Sequence, residues 1–176
     1  EPTVTITDLE SYTEYDVYVV TDCSGDYSLS SKKTFKTLCD GISTVPQTWD
    51  FDSDLSAGTT SYPLPGCWDR ISTSTSTQYP YSYNYSSYAH SGTRCLYFYN
   101  YYTNSIGILP GLDSEALDIQ DLQLEFYARQ STASTYVRLD VGVMTDPTND
   151  STFTLVQTIP LTPSYQADPF VVSFKL

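Results

Sequence analysis

D-S-E-A-L-D-I-Q-D-L-Q-L-E-F-Y-A-R, residues Asp113 to Arg129, is the stretch whose reading decides the fold. Its first half is the best place in the chain to look for a helix, with Leu112, Leu117, Ile119, Leu122 and Leu124 as the apolar positions. An amphipathic helix needs such residues at i, i+3, i+4 and i+7, so that they line one face. These do not sustain that stripe. From Leu122 to Arg129 the sequence runs straight into alternation, which places every second side chain on the same face of a strand. The strongest helix candidate therefore reads as the approach to a strand.

Working outward, the same period of two recurs. Thr3 to Thr7 alternates as T-V-T-I-T, and Tyr15 to Thr21 reads Y-D-V-Y-V-V-T. Further strands are expected at Thr34 to Leu38, Cys95 to Tyr99, Tyr136 to Met144, Phe153 to Ile159 and Phe170 to Phe174. Ser24-Gly25-Asp26, Pro65-Gly66, Pro110-Gly111 and Asp146-Pro147-Thr148-Asn149-Asp150 punctuate them with turn residues. Many short strands separated by turns give an all-β fold, a sandwich or jelly roll. The one shift in composition lies near Cys39 to Pro46. The lysines Lys32, Lys33 and Lys36 precede it, and basic residues nearly vanish after it.

Composition bounds the function. The 176 residues carry 21 acidic against 8 basic side chains, a net charge of −13. That disfavours nucleic acid, whose phosphates need clustered Lys and Arg, and an anionic membrane surface. No apolar run is long enough for a transmembrane helix. The four cysteines, Cys23, Cys39, Cys67 and Cys95, are widely spaced and form no C-x-x-C. That spacing suits two disulfides in an oxidising, extracellular compartment, with three connectivities open.

Two resemblances follow from particular residues. Leu9, Thr13 and Tyr15 stand in the pattern L-x-x-x-T-x-Y, followed by Val17 and Val19. This resembles the tyrosine corner of fibronectin type III domains, in which the hydroxyl bonds back to the upstream backbone. It implies that residues 1–38 are the C-terminal strands of such a domain, with Leu9 as the packing neighbour of Tyr15, and that 39–48 are a linker. The second is carried by W-D-F-D-S at Trp49 to Ser53, L-P-G-C-W at Leu64 to Trp68 and H-S-G-T-R-C-L-Y-F at His90 to Phe98. L-P-G-L-D from Leu109 and V-G-V-M-T-D-P at Val141 to Pro147 complete it. Their order resembles the cleaved-adhesin and MAM-like jelly-roll modules of bacterial surface and secreted proteins, over residues 49–176. The resemblance implies a piece cut from a longer protein, incomplete at both ends. It also implies the disulfide pairs Cys23 with Cys39 and Cys67 with Cys95.

Few residues invite chemistry. His90 is the only histidine, so a Ser/His/Asp triad or a Cys/His metal site has little to draw on. It is expected in the turn before a core strand. The acids, among them Asp69, Asp113, Glu115, Asp118, Asp121 and Glu125, single out no glycosidase pair. Asp52, with Asp50 on the opposite face of an expected first strand, is the best candidate ligand set for a structural calcium ion. Asp146 to Asp150 is a second acidic turn and suits a plain hairpin. The tyrosines are the most pointed feature. Tyr79, Tyr81, Tyr83 and Tyr85 alternate through Y-P-Y-S-Y-N-Y and share one face if the segment is a strand. An exposed face of that kind would stack against the flat C–H faces of sugars.

The expectation is a non-catalytic adhesion or ligand-binding module of a secreted or cell-surface protein, taking a glycan or an extracellular protein. A structural spacer or fibre subunit, self-associating through the incomplete N-terminal sandwich, is one alternative. An accessory module of a secreted hydrolase is another.

Overall fold

The computed structural model describes residues 3–24, 26–29, 32–53, 55, 61–74, 76–99, 105–131 and 137–175, and of residues 21–23, 26, 27 and 29 the backbone only. The fold is all-β: among the described residues there is no α-helix and no barrel. The segment from Asp113 to Gln123 holds a single 3₁₀ turn at Ile119–Asp121, capped by the Asp118 side chain, and then passes into a strand. The chain divides into two compact units, Glu1–Gly41 and Ile42–Leu176.

The first unit holds β1 (Glu14–Val17), β2 (Val20–Cys23), β3 (Asp26–Leu29) and β4 (Lys33–Lys36). β2 pairs with β3, and β1 with β4 outside them, both antiparallel. The register sets Tyr15 opposite Phe35, and the two rings stack with centroids 6.0 Å apart. The Tyr15 hydroxyl accepts the Glu10 N–H at 2.9 Å, closing a corner over the segment that precedes β1. Thr37 adds a second closure, its hydroxyl donating to the Glu10 carbonyl at 2.6 Å while accepting the Thr13 N–H at 2.8 Å. Thr3 to Thr7, expected as a strand from its alternation, pairs with nothing among the described residues, and Val4 and Ile6 face solvent. Alternation alone does not make a strand without a neighbour to share its N–H and C=O groups.

The second unit holds β5 (Asp69–Ser72), β6 (Tyr81–Asn84), β7 (Arg94–Tyr97), β8 (Ser105–Ile108), β9 (Gln123–Phe126), β10 (Arg138–Met144), β11 (Phe153–Pro160) and β12 (Phe170–Ser173). Its pairings nest: β6 with β7 between β5 and β8, then β10 with β11 between β9 and β12, all antiparallel. The outer strands of each quartet pair around the inner hairpin, as in the first unit. The expected strand at Trp49 to Ser53 is instead a series of bends, with Phe51 at φ 61°. Trp49 and Phe51 both pack edge-on against Trp68, at 5.5 and 5.7 Å. Gly142 sits at a bulge in β10, where a Cβ would run into the Thr154 carbonyl and the Phe153 ring. Ile159, Val172, Pro65 and Pro80 are fully covered, and Leu64 is buried nearly as deeply.

The cysteines depart from the expected pairing. The disulfide-bonded cysteines among the described side chains are Cys39 and Cys67, while Cys95 keeps a free thiol. Cys67 is therefore not joined to Cys95. Cys95 lies in β7, opposite Tyr83, and burial pushes its thiol pKa up, which favours the protonated form. The side chain of Cys23, the other half of the pair expected with Cys39, lies outside the described residues.

Ile159 is 1% exposed and Leu155, on the same strand, 53%. Ile159→Ala should cost about 2–5 kcal/mol in chemical denaturation, and Leu155→Ala no more than about 0.5 kcal/mol. Equal losses would show that Ile159 is not packed more deeply than Leu155.

Candidate functional site

Strand β6 is pinned by its inward residues. Ser82 is 2% exposed. Its hydroxyl donates to the Phe51 carbonyl at 2.9 Å, and its N–H donates to the Pro63 carbonyl at 2.7 Å. Arg94 on β7 donates from Nη1 to the Ser82 carbonyl at 3.0 Å. Pro80, two residues earlier, is fully buried. With Pro80 and Ser82 facing in, the strand period turns Tyr79, Tyr81, Tyr83 and Tyr85 to the other face.

Their rings touch in sequence order. Tyr79 and Tyr81 have centroids 5.6 Å apart, Tyr81 and Tyr83 5.8 Å, and Tyr83 and Tyr85 5.8 Å. These spacings fall in the range where aromatic pairs attract. β7 widens the row, because Tyr97 lies opposite Tyr81 and contacts Tyr79 and Tyr83 at 5.8 and 5.3 Å. Tyr99 adds a ring 5.4 Å from Tyr79, and Tyr62 stands edge-on to Tyr81 at 5.2 Å. Tyr85 and Tyr99 are exposed, at 48% and 44%, and the rings between them are half-buried. Tyr81 to Tyr85 is four residue steps, about 13 Å of extended strand. The result is a continuous tyrosine surface with solvent access along its length.

Arginines fasten the loops that carry this surface. Arg70 Nη1 donates to the carbonyls of Tyr62, Gln78 and Pro80 at 2.9, 3.1 and 2.8 Å. Burial lowers the Arg70 pKa from its ordinary value, and the three carbonyls replace the water the guanidinium has lost. At the other end, Tyr88 contacts Tyr85 at 4.8 Å. Arg129 lies over the rings of Tyr88 and Tyr165 and donates to the carbonyls of Ser87 and Pro163 at 2.7 and 3.1 Å. Tyr165 donates its hydroxyl proton to the Tyr88 carbonyl at 2.6 Å. His90 stacks flat on Tyr127, with centroids 3.6 Å apart, and edge-on to Tyr165.

The acids expected to hold calcium serve the chain itself. Asp50 Oδ1 accepts the N–H groups of Asp52 and Ser53, each at 2.9 Å, and Oδ2 accepts the Ser53 hydroxyl at 2.7 Å. Asp52 Oδ1 accepts both the N–H (3.0 Å) and the hydroxyl of Thr93, tying the bend after Trp49 to the start of β7. Gly92 makes that tie fit: its φ is 66°, and a Cβ there would collide with the Asp52 carboxylate. Among the described residues no three His, Cys, Asp or Glu side chains come together as a metal group. Asp146 accepts the N–H and hydroxyl of Thr148, the geometry of a capped turn.

Of the residues singled out from sequence, the four alternating tyrosines come together. Asp50 and Asp52 are neighbours with separate tasks, and His90 joins the aromatic surface beyond Tyr88. The sequence reading did not pick out Tyr62, Tyr97, Tyr99 and Arg129. Tyr97 and Tyr99 alternate in C-L-Y-F-Y, a signal that gains meaning once the β6–β7 register is known.

The chain matches no protein-family model, no curated protein and no solved structure.

Packing changes how the tyrosines titrate. Burial, with the neighbouring phenols Tyr79 and Tyr83 adding to it, pushes the Tyr81 pKa from 10.0 up to about 12, and burial raises Tyr97 as well. The folded state then holds these protons more tightly than the unfolded chain. The stabilisation is full below pH 10 and is lost as pH rises from 10 towards 12. Urea midpoints should fall over that window, and Tyr81→Phe should make the fall shallower. An equally steep decline in Tyr81→Phe would show that Tyr81 is not held in this way.

Proposed function

We propose that this chain is a non-catalytic binding module of a secreted or cell-surface protein, and that its ligand is a glycan held on the tyrosine surface of β6 and β7. One observation carries the reading: an unbroken row of tyrosine rings along one face of a strand that buried Ser82 pins from the other. A sugar offers flat C–H faces, which are weakly positive, to the negative faces of such rings. Phenol hydroxyls at the ring edges can bond the sugar hydroxyls. The rings are held by one another and by Arg70 and Ser82 before any ligand arrives, so little side-chain entropy is lost on binding.

Other features support the wider setting. Disulfide-bonded Cys39 and Cys67 suit an oxidising compartment. No helix among the described residues is long and apolar enough to cross a membrane. The Tyr15 hydroxyl reaching back to Glu10 N–H is the contact a fibronectin type III tyrosine corner makes. The nested antiparallel quartets of the second unit are compatible with a jelly roll of the adhesin or MAM-like kind. The role that follows is attachment: the module would anchor a larger protein to a glycan surface.

Replacing Tyr81 and Tyr83 together by Ala should weaken binding to every glycan-array hit of the wild-type chain by at least about tenfold. Ring removal at the surface should leave the urea midpoint of the Asp52–Thr93 region's unit measurable, so a folded variant can be scored. A folded variant that kept its array profile would remove this surface from consideration.

A further inference from the structure

The electrostatics of the second unit bear on which glycan fits, an inference that rests on the tyrosine surface being the binding site. From Ile42 onward the sequence holds 13 Asp and Glu against five Lys and Arg. A ligand approaching this unit therefore meets a negative field, which raises the free energy of a polyanion near the surface and slows its arrival.

Four of those five cations, the arginines, are already engaged by the chain. Arg70 is turned onto three backbone carbonyls behind the row. Arg94 Nη1 donates to the Ser82 carbonyl on the strand itself. Arg129 donates to the carbonyls of Ser87 and Pro163, with its guanidinium over the Tyr88 and Tyr165 rings. Arg138 lies 3.6 Å from Asp140. Carbonyl dipoles already solvate the Arg70, Arg94 and Arg129 guanidiniums. Turning one of these three outward to a carboxylate would give up those bonds, a loss to set against what the new contact returns. What the row itself presents is neutral: phenol rings and hydroxyls, with Tyr81 and Tyr97 held protonated well above physiological pH. Each extra carboxylate on a ligand would add repulsion to that field, while the arginines are already engaged by the chain.

We infer that the tyrosine row takes uncharged glycan chains and discriminates against the same chains carrying carboxylates. The selectivity comes from the chain's own use of its arginines: they build the surface and so do not read the ligand.

The test pairs soluble neutral polysaccharides (glucans, xylans, mannans and galactans) each with its carboxymethylated derivative, in affinity electrophoresis with the full chain at low salt. At least one neutral polymer should retard the protein, and its carboxymethylated form should bind at least about tenfold more weakly. The gap should narrow as salt shortens the screening length from about 30 Å at 0.01 M to about 8 Å at 0.15 M. Carboxymethylated polymers binding as well as or better than their neutral parents would overturn the inference while leaving a glycan site in place. Retardation by neither class, with array binding also lacking, would instead remove the glycan reading on which it stands.

Discussion

The Ser82 hydroxyl, 2.9 Å from the Phe51 carbonyl and shut off from water, is the constraint on which the tyrosine surface depends. A buried hydroxyl left without a partner costs about 1–3 kcal/mol, so β6 is strongly held with Ser82 facing in. Because side chains alternate along a strand, that one orientation sends Tyr81 and Tyr83 outward together. A slip by one residue would bury two phenols where a serine and a proline now fit, and would expose Ser82 and Pro80 in their place. The Asp52–Thr93 tie fixes the neighbouring strand in the same way, from the same bend that supplies the Phe51 carbonyl. The short segment Asp50 to Ser53 thus anchors both strands of the site.

The arginines show the same economy of means. In a chain with so few basic residues, Arg70, Arg94 and Arg129 all donate to main-chain carbonyls. Arg70 and Arg129 gather loop ends that lack regular pairing, and Arg94 adds a tie between the paired strands β7 and β6. The cost is that the surface they assemble has little positive charge to offer a ligand.

Much of this was legible in the sequence. The alternation from Leu122 gave β9, and the runs at Tyr136 to Met144 and Phe153 to Ile159 correspond to β10 and β11. The Y-x-Y-x-Y-x-Y spacing placed four rings on one face because the strand period is a local property. Partners were harder. Thr3 to Thr7 and Trp49 to Ser53 have strand-like composition but no strand pairing, since pairing depends on distant chain. Asp50 and Asp52 looked like ligands because carboxylates two apart suit a metal equally well as they suit a turn. Their bonds to Ser53 and Thr93 depend on where the fold brings those residues, which spacing does not encode. Cysteine pairing is likewise a matter of three-dimensional proximity, which spacing does not encode. Tyr97 and Tyr99 joined the surface only through the register Tyr81 opposite Tyr97.

The account stands most directly on which tyrosines a bound glycan covers. Tyrosine nitration, mapped by mass spectrometry with and without the neutral polysaccharide that binds best, reads this residue by residue. Protection should fall on Tyr81, Tyr83, Tyr85 and Tyr99, and leave Tyr18, exposed in the first unit, reacting as before. Unchanged nitration along β6, or protection at Tyr18 instead, would contradict it.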